Sequence, residues 1–439
     1  MRVSGVNYIE QLQLTGPRSG PRSGPKSVLL IGDIHNHYAK DACPMISRKY
    51  FETYSITDYL DHILKSDPEK SYDFYLEQTI PRKYGMNVYD FLDEKIRPEK
   101  VKEITGSTPQ QYAKDVISRP SLLLDRFQQR LGSLDLIRSY FMSKNCFAKD
   151  ESNCPYPNSR FHFIDVRQRT FGKCQTGKMY NKWMFSLTDL RAVTSYSPEE
   201  VADGVIGNYV DSIINVLRET MEDCKFTETK TYRQLLLSPY GHAILEMYHG
   251  KISVLDELLK ECYEIWNSNR DELVRRFKRL NEDGEKYNPV DWISGLYEEK
   301  GLFTKFNDAF PEKSTFGGFD LYADVLFMYL AVLMDIYALG RMTKNYNQYV
   351  IVVAGKAHIE RYREFFLSNG WSSEWVGKPI KDTPVKDEYG EVDTHSKCIE
   401  IPDTKVGGKK RRKSKKSNTR KKNKKPRKST RRVKKRTVC

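Results

Sequence analysis

Four short apolar runs stand out along the chain, and polar residues follow each of them. The runs cover residues 28–31, 72–76, 161–164 and 349–353. Short apolar runs with polar ends are typical of strands that are buried on both faces of a sheet. Longer segments with helical periodicity separate the runs, at residues 121–142, 205–221, 232–279 with at least one break, and 320–342. Strands that alternate with helices predict an α/β fold with a largely parallel sheet flanked by helices.

The longest helical region lies between the third and fourth predicted strands. It predicts a large helical insertion, at about residues 171–345, before the last core strand. No Gly/Pro-rich linker and no repeat with a period of tens of residues divides the body of the chain. We therefore expect one α/β domain that covers residues 28–403.

The two ends of the chain differ from this body in composition. The tetrapeptides GPRS, GPRS and GPKS fill residues 16–27, and we expect residues 1–27 to form a disordered Gly/Pro/Ser-rich segment. Residues 409–436 contain 19 Lys/Arg and no acid, so we expect residues 404–439 to form a disordered Lys/Arg-rich tail. Residues 1–408 carry 54 Lys/Arg and 58 Asp/Glu, so the net charge of +15 belongs to the tail and not to the body.

Membrane insertion and a disulfide framework are both disfavoured by the sequence. The longest apolar run, residues 325–334, is bounded by Asp324 and Asp335 and is far shorter than the roughly 20 residues of a membrane span, so it predicts a buried helix and no membrane partner. The first 14 residues contain no continuous apolar region, which favours cytoplasmic synthesis without secretion. The eight cysteines form no C-x-x-C pair, so reduced and mostly buried thiols are expected.

Two G-x-x-H elements carry the candidate chemistry. Gly32 to His35 and Gly355 to His358 each follow an apolar strand, where glycine permits close backbone approach and a neutral imidazole can bind a metal or transfer a proton. Glu77 ends another strand, and its carboxylate would complete a two-histidine site that holds and activates a water. We therefore predict an active site of His35, Glu77 and His358 that binds a divalent manganese, cobalt or zinc ion.

Four more polar residues are expected to contact the ligand residues of this site and not the metal itself. Asp33 belongs to the first motif, and Asp165 and Arg167 follow the third strand. Asp335 interrupts an apolar helix, and a carboxylate buried there would require a partner. It either pairs with Arg341 or faces the site.

The other histidines are interpreted as structural, with one exception. His162 alternates with two phenylalanines on a strand, and His242 and His249 lie on a helical stretch without an acidic partner at a metal-ligand spacing. The role of His37 is open, because it is close to His35 in sequence but would point elsewhere on an extended backbone.

The segments LLIGDIH, FYLE and VVAGKAH resemble the TIKI/TraB and erythromycin-esterase-like superfamily. The resemblance implies an α/β fold with His35, Glu77 and His358 at the active site. Members of the TIKI type are metal-dependent proteases, and others are esterases or have no settled activity. The segments GDIHNHYAKDACP, MDIYALGRM and VVAGKAHIERY, together with the basic tail, look like proteins of unassigned function in large DNA viruses. The leading hypothesis is thus a metal-dependent hydrolase of peptide or ester bonds.

The first motif also allows a second metal-dependent hypothesis. Gly32-Asp33-Ile34-His35 looks like the opening D-x-H of calcineurin-like metallophosphoesterases, in which Asp33 and His35 would bind one ion of a two-metal centre. That family also requires a G-D-x-x-D strand end and a G-N-H-[DE] element, and this sequence has neither. The phosphoesterase hypothesis is therefore less favoured.

A non-catalytic function is the main alternative to the hydrolase. The tail opens with the basic run Lys409, Lys410, Arg411, Arg412 and Lys413, which predicts non-specific binding of nucleic acid through phosphate contacts. On this hypothesis the chain belongs to a viral particle or a viral factory. The expected locations are the host nucleus, the viral factory or the virion.

Overall fold

A computed structural model describes most of the body of the chain. The described residues are 1–14, 25–33, 53–67, 69–78, 133–147, 153–165, 170–171, 174–175, 205–224, 230–279, 289–311, 321–380, 385–386, 392–393 and 398–402. His35, His37, Arg167 and the basic tail, with Lys409 to Lys413, lie outside them, so the predictions made for these residues stay predictions.

The strands of the described part are short and are spread over the whole body. In chain order they are β1 (Arg2–Ser4), β2 (Tyr8–Leu14), β3 (Ser27–Asp33), β4 (Thr53–Ser55), β5 (Tyr72–Leu76), β6 (Ser159–Phe163), β7 (Thr170–Phe171), β8 (Cys174–Gln175), β9 (Tyr349–Gly355), β10 (Trp371–Val376), β11 (Lys378–Pro379), β12 (Val385–Lys386), β13 (Val392–Asp393) and β14 (Cys398–Glu400).

A six-stranded sheet with the order β10–β2–β3–β9–β5–β6 forms the centre of the fold. The four strands predicted from the apolar runs are β3, β9, β5 and β6, and they are parallel neighbours. This confirms the predicted α/β class. Strands β2 and β10 extend one side of the sheet in antiparallel pairing. Strand β9 is thus the last parallel strand in the chain. Strand β10, which follows it, is the outermost strand on the antiparallel side of the sheet.

The register of the parallel strands brings their carboxyl ends to one edge of the sheet. Asp33 of β3 lies opposite Gly355 of β9, and Val353 of β9 lies opposite Leu76 of β5. Leu76 in turn pairs with Phe163 of β6. Because ligands of such sheets bind beyond the carboxyl ends of the strands, this edge is where a site is expected.

The N-terminal segment differs from its prediction. Residues 1–27 were expected to be disordered, but residues 1–14 form β1 and β2. Ile9 and Leu12 are fully buried and belong to the cores on opposite faces of the sheet, so this strand contributes to both. Its apolar residues are separated by Gln and Glu, and for this reason no apolar run marks it. Strand β1 joins a second sheet with the order β11–β14–β1–β4.

The helices agree with the periodic segments where both are described. They are α1 (Ile56–Ser66), α2 (Ser133–Ser143), α3 (Val205–Asp223), α4 (Lys230–Leu236), α5 (Gly241–Ser268), α6 (Arg270–Arg279), α7 (Pro289–Glu299), α8 (Leu302–Ala309), α9 (Leu321–Met342) and α10 (Lys356–Ser368). Helices α3 to α9 lie between β6 and β9, which is the helical insertion. The segment predicted at residues 232–279 is divided among α4, α5 and α6.

Alternate residues of the central strands enter two different cores. Val28 and Leu30 of β3 pack with the insertion helices and α10, whereas Leu29 and Ile31 pack with α1 and α2. This alternation follows from the two-residue period of a strand. It also explains why the central strands are continuously apolar, since both of their faces are covered.

Helix α9 is the most apolar helix of the described chain. By length and composition alone it could cross a membrane, but 78% of its most apolar 18-residue window is buried inside the fold. The run at residues 325–334 therefore belongs to a core helix, as the sequence predicted.

One pair of cysteines contradicts the expectation of reduced thiols. Cys146, just after α2, and Cys154, just before β6, form a disulfide with their Cα atoms 4.7 Å apart. Cys224 takes part in a disulfide and so does Cys398, whereas Cys262 is a buried free thiol. A spacing of eight residues does not show that the end of a helix and the start of a strand approach within bonding distance.

Candidate active site

Glu77 lies at the carboxyl edge of the sheet, directly after β5. Its side chain is only 6% exposed, and its Oε2 atom accepts a hydrogen bond of 2.5 Å from the backbone N–H of Gly355. Gly355 ends β9 and is the N-cap residue of α10. The positive end of the helix dipole favours a carboxylate in this position. The Glu77 backbone N–H also donates to the carbonyl of Val353, which fixes the residue between the two strands.

His358 lies in the first turn of α10 and faces Glu77. Its Nε2 atom is 3.7 Å from Glu77 Oε1, and its side chain is 12% exposed. On the other side of the ring, Nδ1 is 2.5 Å from Oδ1 of Asp335. The imidazole is therefore held between two carboxylates that come from different elements of the fold.

Asp335 is fully buried in α9 and binds both His358 and Arg361. Its Oδ2 atom accepts a hydrogen bond from Arg361 Nε. Burial alone would raise the pKa of this carboxyl, but the charge of Arg361 and the contacts with His358 outweigh burial and lower its pKa. Of the two alternatives for Asp335, pairing with Arg341 or facing the site, the contacts correspond to the second.

The proton on the His358 ring follows from its neighbours. Nδ1 is 2.5 Å from Asp335 Oδ1 and 3.0 Å from Arg361 Nη2, and one ring nitrogen cannot satisfy both. The ionised carboxylate is the closer group and can only accept a hydrogen bond, so Nδ1 carries the proton. In a neutral ring with this proton position, the lone pair is on Nε2, which faces Glu77.

The other sequence-predicted residues of the described chain lie at the same edge. Asp33 is the last residue of β3 and Asp165 follows β6, and they are 2% and 1% exposed. At Gly32, an added Cβ would lie 3.1 Å from Tyr8 Cβ and 3.6 Å from Lys356 Cα, so the strand passes close to the start of α10. His35 follows Asp33 by two positions in the sequence, but its position is not described.

Two of the predicted metal ligands have a spacing that suits one ion. Ligand bonds of roughly 2.0 to 2.2 Å allow two donor atoms on one ion to be at most about 4.4 Å apart, and His358 Nε2 and Glu77 Oε1 are 3.7 Å apart. Asp335 on the opposite ring nitrogen matches the carboxylate partner that metal-bound histidines usually have. Within the described ranges, however, no three His, Cys, Asp or Glu side chains are grouped to hold an ion. A third ligand would have to come from a residue such as His35.

Arg361 and Tyr248 also lie close to Asp335, and neither was predicted from the sequence. Arg361 is three residues after His358, a spacing that places two side chains on the same face of a helix, so this contact could have been found. Tyr248 comes from α5 and is fully buried. Burial and the nearby charge of Asp335 raise its pKa well above the ordinary value, and the hydroxyl stays protonated. No sequence signal connects Tyr248 with the site.

The histidines interpreted as structural lie in other places. His162 Nε2 is 3.2 Å from Oδ1 of the buried Asp73, and the His162 ring stacks on Tyr75. His242 and His249 are exposed on α5.

Comparisons with known proteins identify no similar protein. No family model, curated protein or solved structure matches the chain. The likeness to the TIKI/TraB and erythromycin-esterase-like superfamily therefore rests on the three motif segments alone.

Proposed function

We propose that the chain is a metal-dependent hydrolase of peptide or ester bonds, with its active site at the carboxyl edge of the parallel strands. One observation carries the proposal. His358 presents its Nε2 atom 3.7 Å from the Glu77 carboxylate, while a fully buried Asp335 contacts the opposite ring nitrogen at 2.5 Å. A histidine and a carboxylate placed in this way are typical ligands of a catalytic metal site.

Each residue of the proposed site has a separate role. His358 and Glu77 would hold the ion, with His35 as the third ligand. A divalent ion in such a site lowers the pKa of bound water towards neutrality. The amide of Gly355 keeps the Glu77 carboxylate oriented through Oε2, so that Oε1 remains directed at His358. A carboxylate next to a bound water could also accept its proton, as a general base does.

Metal content of the full chain tests the proposal. The protein is purified without chelator, supplied with manganese, cobalt or zinc, and desalted before elemental analysis. We expect close to one equivalent of metal in the wild-type protein and little in His35→Ala or His358→Ala, since each removes one of about three protein ligands. His242→Ala is the matched control, because His242 is exposed on α5 and should leave the metal content unchanged.

Glu77→Gln separates two roles of the carboxylate. Loss of metal would identify Glu77 as a ligand, whereas retained metal with no hydrolysis of a peptide or ester library would identify it as a base. The hydrolase proposal fails if the wild-type protein binds no more metal than His358→Ala under the same conditions.

A second proposed function rests on the tail and is independent of the first. The 19 Lys/Arg after residue 408 would bind nucleic acid through its phosphates, with the folded body as a non-catalytic scaffold. The net charge of −4 on residues 1–408 supports the tail as the source of any such binding. Location in a viral particle or factory is a proposal that rests on the likeness of three sequence segments to proteins of large DNA viruses.

A further inference from the structure

Helix α10 carries two arginines that pair with buried carboxylates. Arg361 Nε donates to Asp335 Oδ2, and Arg363 Nε donates to Glu10 Oε2 at 2.7 Å. Both carboxylate residues are fully buried. The two pairs thus anchor the same helix, one against α9 and the other against β2.

Only one of these two pairs includes a carboxylate that also contacts His358. The second oxygen of Asp335 lies 2.5 Å from His358 Nδ1, whereas Glu10 is contacted by the hydroxyl of Tyr8. Arg361 Nη2 additionally lies 3.0 Å from His358 Nδ1. Arg361 therefore contacts both members of the Asp335–His358 pair. Arg363 pairs with the other buried carboxylate, Glu10, so it is the matched control for an arginine that anchors the helix away from His358.

The hydrogen bond from Arg361 determines which oxygen of Asp335 is available to the ring. Because Oδ2 is engaged by the guanidinium, Oδ1 is directed at Nδ1. A fully buried carboxylate is costly without a paired cation, so Asp335 would not keep its orientation if Arg361 were removed. The His358 ring would then lose the acceptor that keeps the proton on Nδ1.

We propose that Arg361 is a positioning residue, which orients Asp335 so that His358 is held in the Nδ1–H tautomer with Nε2 facing Glu77. The role in the reaction rests on the proposed hydrolase function. The orientation of the ring itself does not depend on that function. Arg361 thereby acts on the site through Asp335 and needs no contact with substrate.

The tautomer of His358 can be measured directly in the full chain. The protein is labelled with nitrogen-15 in histidine and treated with chelator, and long-range proton–nitrogen spectra are recorded at a pH where the rings are neutral. His358→Ala identifies the signals of His358. We expect protonated Nδ1 and unprotonated Nε2 in the wild-type protein, a mixture of tautomers in Arg361→Gln, and the wild-type pattern in Arg363→Gln.

Affinity for cobalt or zinc gives a second readout of the same variants. Loss of a carboxylate partner that orients a metal-bound histidine typically weakens metal binding about 10- to 100-fold, and we expect Arg361→Gln to fall in that range. Arg363→Gln should stay within about threefold of the wild-type value, because it leaves the partner of His358 in place. If the wild-type chain binds no metal but shows the predicted tautomers, the hydrolase function fails and the positioning role of Arg361 stands.

Variants that retain the positive charge test the positioning role of Arg361 if Arg361→Gln does not fold. Arg361→Lys keeps a cation but lacks the fork of N–H donors that contacts Asp335 and His358. It should change the His358 signals, whereas Arg363→Lys should not. Wild-type tautomers in both Arg361 variants, or an equal change in the Arg363 variants, would overturn the proposal.

Discussion

The Glu77 carboxylate accepts a hydrogen bond from the amide of Gly355, although 278 positions separate them in the chain. The contact exists because β5 and β9 are parallel neighbours, so that the residue after one strand meets the last residue of the other. It brings Glu77 to the first turn of α10, where His358 lies. The topology of the sheet thus assembles the candidate site, and the local sequence supplies its chemical groups.

Removing the Glu77 carboxylate should therefore destabilise the fold as well as the site. In Glu77→Ala, the buried N–H of Gly355 has lost its acceptor, which should lower the free energy of unfolding by about 1–3 kcal/mol. Glu77→Gln retains an oxygen acceptor and should lower it by clearly less. Urea unfolding of the two variants and the wild-type protein measures this difference. Equal destabilisation by Ala and Gln would show that the hydrogen bond to Gly355 does not contribute.

The strands β3, β5 and β9 could be predicted because they are buried on both faces, and β6 because its buried residues are mostly aromatic. Continuous apolar runs mark β3, β5, β6 and β9, and the polar residues after them locate the edge that carries Glu77. Strand β2 could not be found in this way, because its buried residues alternate with polar ones and one of them is Glu10. The buried charge of Glu10 is compensated by Arg363, more than 350 residues away in the chain.

Part of the candidate site was also predictable from the sequence. Glu77 and His358 follow apolar strands, and their proximity follows from a parallel sheet. The contact between His358 and Asp335 could not be deduced, because it depends on how α9 packs against α10. The sequence left two alternatives for Asp335, and the packing of these helices decides between them.

A separate cluster at Asp61 should make stability depend on pH. Asp61 in α1 lies 2.9 Å from both Lys144 Nζ and the Tyr140 hydroxyl, and also binds Lys65 and Tyr156. Burial raises the pKa of Asp61, but these hydrogen bonds outweigh burial and lower it below its ordinary range. Stabilisation by Asp61 is therefore complete above the unfolded-state pKa of about 3.9 and is lost as the pH falls from there towards the folded-state pKa.

Asp61→Asn tests this pH dependence. We expect it to lower the free energy of unfolding by about 2 kcal/mol at pH 7, because hydrogen bonds to a charged group are lost. The difference from the wild-type protein should shrink as the pH falls below about 4. Asp271→Asn is the control, since the Asp271 side chain is 93% exposed and its pairing with Arg270 should contribute little. A difference for Asp61→Asn that does not change with pH would contradict the assignment.

The disulfide between Cys146 and Cys154 predicts a specific pattern of thiol reactivity. In the native, unreduced protein both cysteines should resist alkylation, and both should react after reduction. Cys262 has no disulfide partner but is fully buried, so it should react only after unfolding. Alkylation followed by peptide mass spectrometry distinguishes these three cases. Free reactivity of Cys146 and Cys154 without reductant would mean that the bond does not form.

Loss of this disulfide should also reduce stability. The bond closes a loop with a sequence separation of eight residues, and a loop of this size is expected to contribute about 2–3 kcal/mol. The double variant Cys146→Ala and Cys154→Ala, unfolded in urea without reductant, measures the loss. Since cytosolic thiols are usually kept reduced, the bond requires an oxidising compartment or a thiol oxidase while the chain folds.

The basic tail predicts nucleic-acid binding that depends steeply on salt. Each phosphate neutralised on duplex DNA contributes about 0.9 to the slope of log K against log salt, so engagement of only part of the 19 Lys/Arg gives a large slope. Replacing the five residues Lys409, Lys410, Arg411, Arg412 and Lys413 by Gln should reduce the slope by up to about 4.5. Binding is measured by fluorescence anisotropy with unrelated duplexes over a range of salt concentrations.

A charge-preserving exchange at the same five positions is the matched control for the tail. Counterion release depends on the number of neutralised phosphates and not on the shape of the cation, so a Lys-to-Arg and Arg-to-Lys exchange should leave the slope unchanged. Unrelated duplexes should bind with equal affinity, because phosphate contacts carry no sequence information. If the Gln variant binds with the same slope as the wild-type chain, the first five tail charges do not contact phosphate. A strong preference for one sequence would instead point to contacts with bases, which a charged tail alone does not provide.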